Sequence, residues 1–522
     1  MPQQQRSQSL WQQAELHASR REWAQATTCF DKLLQRSPED PAILVQLSYL
    51  QSLAGNYRAA REFALRANRA RPRDPGVVRE LVARLRTFNA PQELEQCVER
   101  LKPLDTMPIP LLLACAAQYS YLNEQDRALV LLDEAKRADP EYPATLLARG
   151  QVLMYLGRFE QAEADITTCL RRAPELAQGW WLLARLRKQR PENNHVEAIQ
   201  RQLQRPGRKA VDIAMLGYAL HKELDDLGRH DAAWAALDLA CRAKRSTLDY
   251  RAEDSRALVT SLIESPVPPE ATPLPKAKDA RVPIFIVGMH RSGTTLLEQL
   301  LDGHSAVRGV GELYDFTSQM REATDHHCRG VIDIELVKRA ASVDYSSVGK
   351  GYLDRMEWRL GPERFFTDKL PSNFLNVGFI CQALPQARIL HMVRDPMETC
   401  FSNLRELFSD ACAYSYDQRE LADYHRQYRR LMSHWHRAFP GRILDVEYAE
   451  LVRQPGVVLA RVAAFCGFEF EPAMLDLEHR TRSVATASAV QVRSSIRPRS
   501  MPKWAPYEPQ LQTLLRGLDS NC

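Results

Sequence analysis

The stretch from Pro283 to Thr295 reads P-I-F-I-V-G-M-H-R-S-G-T-T. Its apolar run, residues 284–287, is rich in β-branched side chains, which predicts a short strand buried in a parallel sheet. The leucines at positions 296, 297, 300 and 301 have the spacing of one face of a helix that ends near Gly303. Between strand and helix, Gly288 and Gly293 are spaced as in a loop whose backbone N–H groups close on an anion. The stretch therefore predicts a strand, an anion-binding loop and a helix.

The residue after Gly293 distinguishes this loop from that of a nucleoside triphosphatase. A Walker A loop needs a lysine there to reach the β- and γ-phosphates, and this chain has Thr294. A positive charge stands inside the loop at Arg291 instead. We therefore expect a 5′ anion smaller than a triphosphate.

The loop resembles that of the sulfotransferase superfamily, and most closely that of tyrosylprotein sulfotransferases, which reads P-R-S-G-T-T. This chain has His290 where that family usually has proline. The resemblance implies that the co-substrate is 3′-phosphoadenosine 5′-phosphosulfate (PAPS). It also implies that the loop holds the 5′-phosphosulfate through Arg291, Ser292, Gly293, Thr294 and Thr295.

Composition points to a globular protein with more than one domain. The chain has 522 residues, of which 45% are hydrophobic and 26% charged, and this length exceeds one ordinary core. No apolar run approaches the roughly 20 residues of a membrane span, and the first residues lack a signal peptide's apolar core, so a cytoplasmic enzyme is favoured. Eleven scattered cysteines argue against a disulfide framework and a structural zinc site. A net charge of +5 is too diffuse to indicate nucleic-acid binding.

The first half of the chain repeats itself. Prolines at positions 38, 72, 140 and 174 are separated by 34 or 68 positions, which is the tetratricopeptide period or its double. Twelve positions before each proline stands a small residue that lets two helices approach: Ala26, Ala60, Ala128 and Ala162. The repeat around Thr106 lacks its proline and is interpreted as degenerate. A polar stretch at 189–209 interrupts the pattern, which resumes near Leu216.

A proline-rich segment separates the two halves. Five prolines stand between positions 264 and 276, so a linker is predicted over residues 264–280. Residues 1–263 are expected to form an all-α tetratricopeptide solenoid, whose concave face can bind a protein partner. Strand-like runs alternate with helical patterns beyond it. Residues 281–522 are therefore expected to form an α/β, P-loop-like sulfotransferase domain with a parallel sheet.

A second anion site is predicted after the strand at 389–393. Arg394 follows that strand, and Ser402 stands eight positions later in the next helix. Ligands of open α/β sheets bind at the carboxyl ends of strands, so both side chains can share one anion. Their spacing resembles the 3′-phosphate site of sulfotransferases. A salt bridge that caps the helix is the structural alternative.

Two further residues are candidates for the chemistry. Lys369 precedes Pro371 at a helix start, an unfavourable place for a cation unless an anion is bound. The resemblance assigns to Lys369 the stabilisation of the transition state. It assigns the catalytic base to Glu312, which follows two glycines after the first helix. An exposed structural lysine and a solvated glutamate are the alternatives.

The carboxy-terminal tail supplies the remaining candidates. The resemblance implies that Ser488 and Lys503 contact the co-substrate, with Ser488 also near the transferred group, and that Tyr448 lies near the adenosine. Arginines at 493, 497 and 499 stand between them, and a solvated basic loop is the alternative for these. No histidine cluster has the spacing of metal ligands, so no metal is expected.

Together these features predict a PAPS-dependent sulfotransferase that moves a sulfuryl group to an acceptor hydroxyl. A protein or peptide tyrosine is favoured as acceptor, with the repeats recruiting acceptor or partner; a carbohydrate or a small phenol is the alternative. A repeat scaffold with an inactive nucleotide-binding domain and a P-loop kinase are alternatives from other classes. A kinase would need magnesium ligands and the Walker A lysine, and this chain has Thr294 at the position of that lysine. An inactive scaffold is not expected to keep Arg291, Lys369, Arg394 and Ser488 together.

Overall fold

A computed structural model of the protein describes residues 3–266, 280–328, 330–477 and 501–519. Contacts between residues divide the chain into two compact units. The first comprises residues 1–140 and 314–344, and the second comprises residues 141–313 and 345–522. No helix within the described ranges combines the length and the apolarity that crossing a membrane requires.

The first unit begins with helices that pack in consecutive pairs: α1 Gln3–Ser19, α2 Trp23–Arg36, α3 Pro41–Leu53, α4 Tyr57–Arg69, α5 Pro75–Thr87, α6 Pro91–Glu99, α7 Ile109–Tyr121 and α8 Gln125–Ala138. Local chemistry explains several of their starts. Asp40 and Asp74 are N-caps whose carboxylates accept from backbone N–H groups of the first turn, and each is followed by proline at the first helical position. In the degenerate repeat around Thr106, α5 pairs with α6, which has only nine residues.

The second unit continues the helical region with α9 Pro143–Tyr155, α10 Phe159–Arg172, α11 Ala177–Leu186, α12 Val196–Leu203, α13 Ala210–Asp226, α14 His230–Arg245 and α15 Ala252–Glu264. The predicted small residues explain the close pairing, because Ala26, Ala60, Ala128 and Ala162 are completely buried. A Cβ at Gly150 would lie 2.6 Å from the Ile166 side chain, so α9 and α10 need a glycine there. The helical repeat region is confirmed.

A parallel sheet follows, with the order β2-β3-β1-β4-β5. Its strands are β1 Val282–Gly288, β2 Val307–Arg308, β3 Phe365–Asp368, β4 Arg388–Val393 and β5 Ile443–Glu447. The central strand β1 is buried along its whole length, as its β-branched run predicted. It pairs with β3 through Phe285 and Asp368 and with β4 through Gly288 and Met392. The expected α/β domain with a parallel sheet is confirmed.

The remaining helices are α16 Thr294–Leu301, α17 Asp315–Thr324, α18 Ile334–Ala340, α19 Tyr345–Met356, α20 Val377–Ala383, α21 Pro396–Leu404, α22 Gln418–Ala438, α23 Tyr448–Arg453, α24 Pro455–Cys466 and α25 Gln512–Asp519. Shorter 3-10 helices span Pro371–Asn376, Asp410–Tyr416 and Ala505–Leu511. The core beneath the sheet joins strand residues such as Ile284 and Leu390 to leucines of α16 and to Val458 and Val462 of α24.

The compact units group the chain differently from the predicted linear domains. Helices α9–α15 share a unit with the sheet, and hydrogen bonds join α13 to the C-terminal end of α21: Tyr218 Oη donates to the Leu404 carbonyl at 3.0 Å, and Arg405 Nη2 donates to Asp225 at 2.6 Å. Residues 314–344 share a unit with α1–α8. Most of the predicted linker, residues 267–279, lies outside the described residues. The boundaries 1–263, 264–280 and 281–522 therefore stay a prediction from the sequence.

Candidate functional site

Every strand of the sheet leads into a predicted site residue or its loop. The loop of residues 288–293, called the phosphosulfate loop after its predicted ligand, follows β1. The loop of Glu312 follows β2, and Lys369 follows β3 directly. Arg394 follows β4 and Tyr448 follows β5 in the same way. Because the strands are parallel, their carboxyl ends lie at one edge of the sheet, where open α/β sheets bind ligands.

The loop between β1 and α16 has a backbone that few residues adopt. Arg291 has φ of 66° and Gly293 has φ of 110°, both in the left-handed region. A Cβ at Gly293 would lie 2.5 Å from the ring of Tyr448, so this position needs glycine for space as well as for conformation. The loop ends at the N-terminus of α16, where backbone N–H groups attract anions.

Ser292 supports an anion at this loop. Its side-chain oxygen is buried and has no hydrogen-bond partner within the described part of the chain. A buried hydroxyl without a partner costs free energy unless a ligand or water satisfies it. Ser292 is therefore available to donate to a bound anion.

Arg394 holds the loop from the neighbouring strand. Its Nη1 donates to the carbonyl oxygen of Arg291 at 3.0 Å, its Nε donates to Glu398 at 2.9 Å, and its guanidinium lies 4.4 Å from the centre of the Tyr448 ring. The predicted residues Arg394 and Tyr448 thus surround the loop together. In this structure some N–H groups of Arg394 donate to the loop and others to Glu398, which stands four positions later in the chain.

The side chain of Arg291 contacts the predicted residue Ser402 and also Glu406, which sequence reasoning missed. Its Nε donates to Ser402 Oγ at 3.3 Å, and its Nη1 lies 3.9 Å from Glu406. Glu406 also lies 3.4 Å from Arg185 of α11. A helix of the repeat region therefore contributes a cation beside the phosphosulfate loop. No local pattern indicates this pairing.

Positive charge is concentrated around Arg291. Burial lowers the pKa of its guanidinium, and Arg185, Arg394 and Arg405 lower it further, whereas Glu406 opposes them. Glu406 lies beside Arg291 and Arg185, whereas Arg394 pairs with Glu398 and Arg405 pairs with Asp225. A group of arginines next to the loop is compatible with the binding of an anion there.

Lys369 and Glu312 form one ion pair. Lys369 Nζ donates to Glu312 Oε1 at 2.7 Å, and the lysine side chain is 0% exposed whereas the glutamate side chain is 34% exposed. The burial of Lys369 demands a charged partner, because an unpaired buried ammonium is costly. The pair is therefore a buried cation with a carboxylate that reaches toward solvent.

The loop that carries Glu312 is fixed by α16. Gly309 N donates to Asp302 at 2.6 Å, and Gly311 N donates to the buried carboxyl of Glu298 at 2.8 Å. Burial raises the pKa of Glu298, although the charge of Lys369 opposes this. The Gly311 carbonyl accepts in turn from Lys369 N at 3.1 Å. Glu298 is a second residue that sequence reasoning missed, because it lay within a helical leucine pattern.

His290 belongs to the loop itself and is held there by neighbouring side chains. Its Nδ1 is 3.0 Å from Tyr414 Oη, and its carbonyl accepts from Asn403 at 2.6 Å. Burial lowers the pKa of His290 to about 4, with Lys369 and Arg291 acting in the same direction and Glu312 against it. His290 is therefore neutral near pH 7.

Two predicted contacts come from the tail. Ser488 lies outside the described residues, as do the arginines at 493, 497 and 499. The structure describes Lys503, whose positive charge is close enough to Asp225 of α13 to influence the pKa of that carboxyl. The pKa of Asp225 lies below its usual value although burial raises it, because Arg405, Tyr507 and Lys503 stabilise the carboxylate.

Tertiary structure also brings together a histidine group that spacing did not reveal. His391 Nδ1 and His436 Nε2 both lie within hydrogen-bond distance of Asp445 Oδ1, at 2.7 and 2.9 Å, and the three ligand atoms lie within 4.8 Å of one another. His391 Nε2 contacts Tyr428 Oη. Zinc accepts such a donor set, but the mutual hydrogen bonds already account for this arrangement.

Comparisons with known proteins match both parts of the chain. Residues 283–472 match the sequence model of the Sulfotransferase family, and residues 143–176 match that of the Tetratricopeptide repeat. An "Uncharacterized protein" of Aquifex aeolicus (strain VF5) is 28% identical over 413 residues, which cover 76% of this chain and 53% of that protein. The chain thus spans about half the length of this relative.

Two further proteins resemble the second half of the chain. A "Putative protein-tyrosine sulfotransferase" of Caenorhabditis briggsae is 25% identical over 249 residues, covering 45% of this chain and 84% of that protein. The solved sulfotransferase domain from the Synechococcus PCC 7002 olefin synthase is 20% identical, with a TM-score of 0.28, and the alignment covers 46% of this chain and 98% of that domain. The chain contains a sulfotransferase domain and a tetratricopeptide region.

Proposed function

We propose that this protein transfers a sulfuryl group from PAPS to an acceptor hydroxyl. The observation that carries this proposal is the convergence of an anion-binding loop with the buried Lys369–Glu312 pair at the carboxyl edge of one parallel sheet. A loop alone fits many nucleotides. A loop beside a cation and a carboxylate fits transfer of an anionic group to a hydroxyl.

The residues at the loop fit the 5′ end of PAPS. Ser292 has a buried hydroxyl to donate, and the N-terminus of α16 supplies backbone N–H groups. Arg291, Gly293, Thr294 and Thr295 complete the proposed 5′ contacts. PAPS, when bound, supplies the sulfuryl group, and its 5′-phosphate stays on the nucleotide, which leaves as 3′-phosphoadenosine 5′-phosphate.

The 3′-phosphate is assigned to Arg394 and Ser402, and the adenosine to the neighbourhood of Tyr448. Ser402 Oγ already accepts from Arg291 Nε, so one contact links the proposed 3′ and 5′ sites. Ser488 and Lys503 remain proposed contacts from the carboxy-terminal tail.

The chain's own residues position the acceptor and move its proton. A phenolic hydroxyl has a pKa near 10, so a carboxylate within hydrogen-bond reach can accept its proton as the new bond forms, a role worth about 10²–10⁴ in rate. We assign this role to Glu312, whose carboxylate is partly exposed and is oriented by Lys369. Lys369, Arg291 and Ser488 would stabilise the negative charge that develops during transfer.

We propose a protein or peptide tyrosine as the acceptor. The attached repeats and the name of the Caenorhabditis briggsae relative support this class. The repeats would then recruit acceptor or partner. A carbohydrate or a small phenol is the alternative acceptor. Assays of the same enzyme with each class of acceptor distinguish between them.

Calorimetry distinguishes this function from that of a kinase. We expect 3′-phosphoadenosine 5′-phosphate, the product nucleotide, to bind with micromolar or tighter affinity in the absence of a divalent cation. ATP with magnesium should bind at least tenfold more weakly, because the loop lacks the lysine that reaches a γ-phosphate. Tighter binding of ATP with magnesium would overturn the proposal.

Substituting Glu312 tests the chemical step. Glu312→Gln keeps an oxygen that accepts from Lys369 but removes the base, so turnover of an unactivated phenol should fall at least a hundredfold with nucleotide affinity intact. The defect should shrink for p-nitrophenol, whose proton is far easier to remove. An equal fractional loss for both phenols would show that Glu312 is not the base.

A further inference from the structure

The tail segment, residues 501–519, packs on α22 within the second unit. Gln418 Nε2 of that helix donates to the Gln510 carbonyl at 3.0 Å, and Gln418 Oε1 accepts from Leu514 N at 3.0 Å. The side chain of Leu514 is completely buried. The segment that carries the proposed co-substrate contact Lys503 is therefore part of the packed structure.

Tyr507 of the tail segment lies against helices of the repeat region. Its Oη donates to Asp225 Oδ1 of α13 at 2.5 Å. Its ring is completely buried, 5.4 Å from the ring of His230 and 6.1 Å from the ring of Trp234, both in α14. The ring of Phe401 in α21 lies 5.2 Å away on another side. Tyr507 therefore anchors the tail segment where α13, α14 and α21 meet.

Asp225 connects the tail segment to the helix that contacts the phosphosulfate loop. One of its carboxylate oxygens accepts from Tyr507, and the other accepts from Arg405 Nη2 at 2.6 Å. Arg405 directly follows α21, in which Ser402 Oγ accepts from Arg291 Nε of the loop at 3.3 Å. One carboxylate of the repeat region thus binds both the tail segment and the end of α21.

Lys503 stands four positions before Tyr507 and lies near this group. Burial raises the pKa of Asp225, but Arg405, Tyr507, His221 and Lys503 bring it below its usual value. Burial lowers the pKa of His221 to about 3, with Arg405 and Lys503 acting in the same direction. Lys503 itself is exposed. The backbone that carries this exposed cation is therefore held close to α13 and to the end of α21.

We propose that Asp225 and Tyr507 are positioning residues for the co-substrate, because their hydrogen bond holds the tail segment where Lys503 contacts the nucleotide. This inference rests on the proposed function, in which Lys503 is such a contact. A segment that is already ordered binds a ligand more tightly than one that must become ordered on binding. Helices α13 and α14 of the repeat region therefore take part in co-substrate binding, in addition to the proposed recruitment of an acceptor or partner.

The full-length chain with Tyr507→Phe tests this inference, because it removes the hydroxyl and keeps the buried ring. Calorimetry should show an affinity for 3′-phosphoadenosine 5′-phosphate at least threefold weaker than that of the unsubstituted chain. Turnover of p-nitrophenol at saturating PAPS should stay within twofold, since Glu312 and Lys369 are unchanged. Tyr155→Phe is the matched control, because it removes a hydroxyl of α9 that accepts from Gln151. Amide hydrogen exchange over residues 505–519 should accelerate in Tyr507→Phe and not in Tyr155→Phe.

Asp225→Ala tests the inference through the sign of its effect. Removing a negative charge beside an anion site should by itself strengthen the binding of an anion. Positioning predicts the opposite result, an affinity for 3′-phosphoadenosine 5′-phosphate at least fivefold weaker. Asp238→Ala is the control, because it removes a carboxylate of α14 that pairs with Arg242 of the same helix, and its affinity should stay within twofold.

A double-mutant cycle with Lys503→Ala shows whether the anchor acts through Lys503. Lys503→Ala should weaken nucleotide binding at least tenfold, and Tyr507→Phe should then add less than a further twofold, because both changes act through one contact. Full additivity, or unchanged affinity in both Tyr507→Phe and Asp225→Ala, would overturn the inference. Unchanged affinity in Lys503→Ala would remove the contact on which the inference depends. A failure of the unsubstituted chain to bind 3′-phosphoadenosine 5′-phosphate would instead refute the proposed function.

Discussion

Arg394 illustrates, at the scale of single residues, why a site residue is seldom devoted to its ligand alone. Its guanidinium binds the carbonyl of Arg291, pairs with Glu398 and stacks on Tyr448. These contacts hold the phosphosulfate loop against the next strand. Substitution at this position should therefore disturb the loop as well as any 3′-phosphate contact.

Arg394→Ala should weaken the binding of 3′-phosphoadenosine 5′-phosphate at least tenfold, because a charge-assisted hydrogen bond is worth roughly 1.5–3 kcal/mol. Adenosine 5′-phosphosulfate lacks the 3′-phosphate, so its affinity should fall less. The remaining decrease should reflect only the loss of the contacts by which Arg394 holds the loop. Calorimetry with both nucleotides measures the difference. Arg419→Ala, an exposed arginine of α22, is the control. Equal weakening of both nucleotides would remove Arg394 from the 3′ site.

Among the elements, α16 connects the two parts of the candidate site. Its N-terminus receives the phosphosulfate loop, and its buried Glu298 holds the loop of Glu312 through Gly311 and also accepts from Thr367 at 2.9 Å. All residues of the helix are buried. The proposed anion binding and the proposed placement of the base therefore both depend on one short, buried helix.

Glu298→Ala should lower turnover at least fivefold and the free energy of unfolding by about 1–3 kcal/mol, because it leaves the Gly311 N–H and the Thr367 hydroxyl buried without their acceptor. Glu298→Gln keeps the accepting oxygen, so it should retain most of the turnover and most of the free energy of unfolding. Steady-state kinetics and urea unfolding of the two variants make the comparison. Equal activity of the two variants would show that this hydrogen bond does not hold the base.

For the molecule as a whole, several histidines are buried in their neutral form. Burial lowers the pKa of His221 to about 3 and the pKa values of His290, His327 and His425 to about 4. His221 Nε2 accepts from Arg405 Nε at 3.1 Å, so its Nδ1 carries the proton and donates to the Ala233 carbonyl at 2.9 Å. Protonation of Nε2 would place two donors face to face.

This burial predicts a loss of stability in mild acid. In the unfolded chain these four histidines take up protons near pH 6.5, whereas in the folded chain they take them up only near pH 3 to 4, so their contribution to the free energy of unfolding falls as pH decreases from about 6.5 to about 3. Between pH 7 and 5, His221 alone should account for about 1–2 kcal/mol. Urea unfolding of His221→Gln at both pH values should show a correspondingly smaller fall.

Tyr218→Phe provides the control for this measurement. It removes a neighbouring buried hydrogen bond to Leu404 without changing any group that titrates between pH 5 and 7. Its stability should be lower by the same amount at both pH values. A pH dependence of His221→Gln identical to that of the unsubstituted chain would contradict the prediction.

The helices, strands and tight turns of this protein follow from patterns among residues close together in the chain. Residues 284–287 had to form a buried strand because a β-branched apolar run has few other stable states, and Gly293 was needed where the chain turns with positive φ. The repeated spacing of prolines and alanines identified the paired helices, since each alanine permits close contact within its own repeat. These features depend on neighbours in the chain, and local pattern is enough to reveal them.

Contacts between residues that are distant in the chain depend on how the elements pack in three dimensions. Arg291 meets Ser402 across 111 positions and Arg58 meets Asp325 across 267. The grouping of α9–α15 with the sheet, and of residues 314–344 with the first repeats, also has no periodic signal in the chain. Such contacts arise because the burial of apolar surface stabilises the packing of elements against one another. Charged groups that become buried where two elements pack are costly unless they pair with groups of the neighbouring element. The pairing of each charge follows from that packing, and no spacing along the sequence encodes it.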